Sequence, residues 1–146
     1  MFRPLQIVYL MVVMSTTMAL AQRRPKDTVL DKKVFVVSME LQEEKKRLQE
    51  EPFEEELSFR SNKLTSKVMR MTDQGGFQMG EYAISKREVI MDEVIYHFEA
   101  INKNSKEFSL KWEGKVFGNQ IEGKAFVSKN GKVKEEYVFT GSLKTK

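Results

Sequence analysis

The sequence predicts an all-β fold: an antiparallel meander of about eight strands curled into an up-and-down barrel, with a short helix or charged loop after the first strand. Three observations carry that prediction. From Val29 onward, short runs rich in β-branched and aromatic residues are punctuated by turn residues. In the C-terminal third, apolar and polar residues alternate with a period of two through three successive runs. Each of those runs also sets a Gly two positions after a bulky residue, in Trp112-Glu113-Gly114, Ile121-Glu122-Gly123 and Phe139-Thr140-Gly141. Glycines on the inner face of neighbouring strands mark sharp bends or close approaches, which favours a curved barrel over a flat sandwich.

The segment ahead of these strands reads as an export signal. Arg3 supplies a charged start, Leu5 to Met14 an apolar run, and Ala19 and Ala21 the small side chains that a signal peptidase accepts. Cleavage after Ala21 leaves Gln22 as the new N-terminus. The apolar run is too short to span a bilayer, so no transmembrane segment is expected in the mature protein. The chain has no Cys, which removes lipid attachment at the cleavage site, disulfides and thiolate metal sites together. The expected organisation is a signal peptide at 1–21, a flexible leader at 22–32 and one domain at 33–146, free in the periplasm or outside the cell.

The first strand is Lys33 to Leu41. Gln42 to Glu56 is a charged link, able to form a short helix up to Pro52. Glu56 to Ser61 and Leu64 to Met71 form a hairpin about Asn62-Lys63. After the loop Thr72 to Gly76 comes a strand over Phe77 to Ile84. The polar run Ser85 to Glu88 then leads into a long strand-like stretch from about Asp92 to Ile101. Phe108 to Val116 alternates five residues in phase, which predicts a strand with one buried face. Ile121 to Ser128 follows after Gly118-Asn119-Gln120. Asn130-Gly131 is the pair that a type I′ hairpin turn demands, because both of its central positions need positive φ. The last strand places Val133, Tyr137, Phe139, Gly141 and Leu143 on one face, interrupted by Glu135.

The closing meander, KWEGKVFGNQIEGKAFVSKNGKVKEEYVFTGSLK, together with the long link after the first strand, resembles the lipocalin-like (calycin) small β-barrels of the short bacterial exported kind. That resemblance implies a barrel whose interior holds either packed side chains or one small ligand.

The chemistry available is narrow. With one histidine, His97, a multi-histidine metal site is excluded, and His97 reads as a half-exposed packing residue. Glu54-Glu55 and Glu135-Glu136 are adjacent on strands, so each pair points to opposite faces and cannot flank one bond. No cofactor or metal is expected, and no enzyme activity. Lys plus Arg is 25 and Asp plus Glu 21, a net charge of +4 with the signs interspersed, as on ordinary soluble surfaces. No nucleic-acid partner is expected. The candidate ligand site is the barrel interior: Phe59, Tyr96, Phe98, Trp112, Tyr137 and Phe139, with Gly114 and Gly123 leaving space among them, for a small apolar or amphiphilic ligand. The alternative is a structural or protein-interaction module of the cell envelope with a filled core.

Overall fold

A computed structural model of the chain describes residues 27–42, 51–71 and 76–145. The predicted signal peptide, with Ala19 and Ala21, and the predicted helix-forming part of the charged link at 43–50 lie outside the described residues. Eight strands follow one another: β1 Val34–Leu41, β2 Phe53–Arg60, β3 Lys63–Ser66, β4 Gly80–Ile90, β5 Glu93–Lys103, β6 Phe108–Phe117, β7 Gln120–Lys129 and β8 Lys132–Leu143. Each pairs antiparallel with its sequence neighbour, and β1 also pairs with β8, so the sheet closes into the expected barrel.

Period-two alternation places the core. Phe35, Val37 and Met39 of β1, Leu57 and Phe59 of β2, Phe98 and Ala100 of β5, Leu110 and Trp112 of β6, Ala125 and Val127 of β7 and Tyr137 and Phe139 of β8 are buried. The residues between them face outward. Three of the tight turns depend on a left-handed backbone at both central residues. They are Ser61-Asn62 (φ 51° and 61°), Met91-Asp92 (50° and 65°) and Asn130-Gly131 (53° and 77°). All three match the type I′ requirement.

The strands alternate in direction, so the turns at 61–62, 91–92 and 118–119 share one end of the barrel. Residues 27–33 fold across that end. The part of the predicted flexible leader from Asp27 to Lys32 is thus ordered structure, and Leu30 is fully buried. The Asp27 carboxylate accepts from the amides of Val29 (3.0 Å) and Leu30 (2.9 Å) and from the Tyr82 hydroxyl (2.6 Å). The Lys32 amide donates to the Phe59 carbonyl at 2.7 Å. At the opposite end, Met69 and Phe77 are buried. They lie on the connection between β3 and β4, which includes a 3-10 turn at Met69–Met71.

Several boundaries differ from the sequence expectation, and β2 begins at Phe53, inside the predicted charged link. β3 stops at Ser66 instead of continuing to Met71, because the buried Glu55 carboxylate captures the amides of Val68 and Met69 and the Ser66 hydroxyl, turning the chain. Phe77 precedes β4 and packs as an end cap. Ser85 to Glu88, read as a connection, lies inside β4, which runs to Ile90 with a bulge between Ile84 and Lys86. In β8, Val127 pairs with Glu135 while Ser128 pairs with Val133, leaving Lys134 as an extra residue. That bulge flips Val133 off the inner face, and it is 59% exposed.

Candidate functional site

Four of the interior residues named from the sequence, Phe98, Gly114, Gly123 and Phe139, meet in one cross-strand row. Phe98 on β5 stands opposite Gly114 on β6, Gly114 opposite Gly123 on β7, and Gly123 opposite Phe139 on β8. A Cβ at Gly114 would lie 2.7 Å from Cε1 and Cζ of Phe98. One at Gly123 would lie 2.9 Å from Cζ of Phe139 and 2.2 Å from the Glu113 carbonyl oxygen. The glycines therefore let two phenyl rings, and a neighbouring backbone, occupy the place of a side chain.

Around this row the aromatic rings pack edge to face, the arrangement their quadrupoles favour. Phe59 is the hub, with centroids 4.9 Å from Tyr82, 5.2 Å from Phe98 and 5.9 Å from Phe35. Trp112 and Phe139 stand 5.4 Å apart, and Phe53 and Tyr137 5.9 Å. Phe59, Phe98, Trp112, Tyr137 and Phe139 are all buried, whereas Tyr96 is half-buried near the end covered by residues 27–33.

Among the buried interior residues, the Trp112 and Tyr137 polar atoms that might have gripped a ligand already have partners. The Trp112 indole N–H donates to Asn102 Oδ1 at 2.7 Å. Asn102 in turn donates through Nδ2 to the carbonyls of Leu64 (2.9 Å) and Gln78 (2.8 Å). The Tyr137 hydroxyl bonds the Glu135 carboxylate. Burial, reinforced by the hydrogen bond to Asp27, holds the Tyr82 phenol well above its ordinary range. Asn102 and Asp27 are organising residues that the sequence pattern did not single out. A polar residue in phase with Phe98 and Ala100, and an Asp three residues before Leu30, were the available signals.

Concave regions lie outside this core. One groove of about 510 Å³ runs over the outer side of the same glycine row, among His97, Glu99, Glu113, Lys115, Glu122 and Lys124. Lys115 and Glu122 pair across it at 3.1 Å. His97 is half-exposed, as expected, and bonds Glu88 on β4; that bond, aided by Lys86, holds the Glu88 carboxyl below its usual range. A smaller notch of about 400 Å³ sits at the end of the barrel, bordered by Val29, Val94, Tyr96 and Val116. Among the described residues no group of three or more His, Cys, Asp or Glu could hold a metal ion, and no helix is long and apolar enough to cross a membrane. Comparison of the chain with protein-family models, curated proteins and solved structures finds no match.

Proposed function

We propose that the protein is an exported, non-enzymatic interaction module: a lipocalin-like barrel with a filled core that works through its outer surface and rims. The observation that carries this reading is the seating of the Phe98 and Phe139 rings in the space that Gly114 and Gly123 leave. A ligand of any size would have to displace fully buried rings, Phe98 from Phe59 and Phe139 from Trp112, and close packing of that kind is costly to open. The engaged Trp112 indole and Tyr137 hydroxyl argue the same way, since an orienting handle for a ligand would otherwise stand unpaired. Export rests on the charged, apolar and small-residue pattern of residues 1–21.

The test is native mass spectrometry of the protein recovered from its own compartment, combined with titration of a hydrophobic dye and a long-chain fatty acid. The expected result is a mature chain starting at Gln22, no bound small molecule, and no stoichiometric uptake. Saturable one-to-one uptake that quenches the buried Trp112 would overturn the filled-core reading in favour of a carrier. An uncleaved Met1 would overturn export.

A further inference from the structure

The ring of strands is closed, but the β3–β4 seam is short. β4 has eleven residues, but its neighbour β3 has only four, and the two pair only at Lys63 with Glu81 and Leu64 with Gly80. The last contact on that side is the Tyr82 amide to the Asn62 carbonyl at 3.0 Å. From Ala83 to Ile90, β4 is paired to β5 alone among the described residues. In a hairpin with a two-residue turn, Ile90 and Glu93 exchange the closing hydrogen bonds, and so do alternate residues behind them. Glu88 therefore turns its backbone groups toward β5, and Arg87 and Val89 turn theirs to the open side.

An open edge is a template for another strand, and proteins ordinarily guard it with bulges and charge. The bulge at Ser85 and the side chains of Lys86 and Arg87 guard the proximal half here. The distal half has no such guard: Val89 is 57%, Ile90 50% and Met91 96% exposed.

We infer that this edge pairs antiparallel with the same edge of a second copy of the chain, about a two-fold axis at Arg87, the middle of Ile84 to Ile90. The charge pattern selects this occupant. On this stretch the basic Lys86 and the acidic Glu88 stand one residue either side of Arg87, so an antiparallel copy about that residue sets each against the other. In this register Lys86, which stands 3.5 Å from Glu88 of its own chain, also faces Glu88 of the second copy, twice by symmetry, and opposite charges directly across a strand pair are favourable. A two-fold interface needs only one self-complementary patch. Pairing satisfies the open amides and carbonyls of Arg87 and brings the Val89 amide to the bulge at Ser85 of the second copy. Its cost is Arg87 facing Arg87 of the second copy. The inference deepens the interaction-module reading, and the two fail separately: a monomer with an inert core refutes only this one, and a dimer that takes up dye refutes only the other.

The experiment is sedimentation velocity of the mature protein over a wide concentration range, with amide exchange followed at the two concentration extremes. The expected result is a reversible dimer in which the Arg87 and Val89 amides exchange freely when dilute and become protected when concentrated. Val89→Pro deletes an outward amide without touching the β4–β5 ladder, so it should abolish the dimer while Trp112 fluorescence stays native. Glu88→Lys should weaken the dimer at least tenfold, and Lys86→Glu added to it should restore much of the loss. Arg87→Thr, which removes the like-charge contact, should tighten it. A chain monomeric at every concentration, or a dimer in which these amides exchange as in the monomer, overturns the inference. If Val89→Pro fails to fold, the exchange data on the unaltered protein decide alone.

Discussion

Gly123→Ala is the sharpest probe of how the barrel is built. A Cβ at this position would sit 2.2 Å from the Glu113 carbonyl oxygen and 2.5 Å from the Gly114 Cα, whereas ordinary contact begins near 3.4 Å. Both neighbours are backbone, so relief requires β6 and β7 to separate by roughly 1 Å across a ladder whose hydrogen bonds fail over such a distance. Gly114→Ala meets the edge of the Phe98 ring at 2.7 Å, and a ring can tilt. Overpacking of that softer kind costs about 1–3 kcal/mol, and the Gly123 change should cost more, about 3–4 kcal/mol once ladder bonds are lost as well. For a domain of this size that is a fall in Tm of roughly 12–20 °C. The assay is urea and thermal unfolding followed by Trp112, the only tryptophan and a fully buried one. A Gly123→Ala protein within about 0.5 kcal/mol of the parent would refute the close approach of strands, and a stabilised Gly114→Ala protein would show that the space above it is empty.

Three further predictions follow from named contacts. Asn102→Leu strands the Trp112 indole N–H and the carbonyls of Leu64 and Gln78; equilibrium unfolding should show a loss of about 2–4 kcal/mol, and Trp112 emission should change in the native state. The raised Tyr82 phenol favours its neutral form in the folded chain, so the stability it contributes is complete below the ordinary tyrosine value of 10 and is lost as pH climbs above it. Unfolding midpoints should therefore fall beyond pH 10, and fall less in Tyr82→Phe, with phenolate absorbance reporting one late-titrating tyrosine. Val133→Lys should be neutral within about 0.5 kcal/mol, since the bulge at Lys134 turns position 133 outward; a loss typical of a core residue would mean that β8 keeps a single phase throughout.

How much of this was legible in the sequence depends on where each signal came from. The C-terminal meander was readable because local alternation and turn chemistry agreed: Leu110, Trp112 and Val116 point inward as their spacing says, and Asn130-Gly131 adopts the expected left-handed pair. β3 and β4 were not, because their limits are set from a distance. Nothing local in Val68-Met69 announces that the Glu55 carboxylate, brought alongside by β2, will take their amides. Ser85 to Glu88 looks like a loop because this part of β4 lacks a second neighbour, and a strand exposed on an open edge can be as polar as a turn. The same limit applies to the interior. The residues lining it could be named, but whether glycines make room for a ligand or for Phe98 and Phe139 depends on the register between strands, which composition does not encode.

Closure of the ring joins the ends of the chain. Phe35 to Leu41 of β1 lie beside Leu143 to Tyr137 of β8, so the contact that completes the fold is also the one with the greatest loop entropy to overcome. Until β8 emerges during synthesis, β1 and β7 both stand as raw edges around an uncovered aromatic core. The growing chain thus has no cooperative stopping point short of its last strand. Truncation before Lys132 should therefore give aggregation, not a smaller barrel.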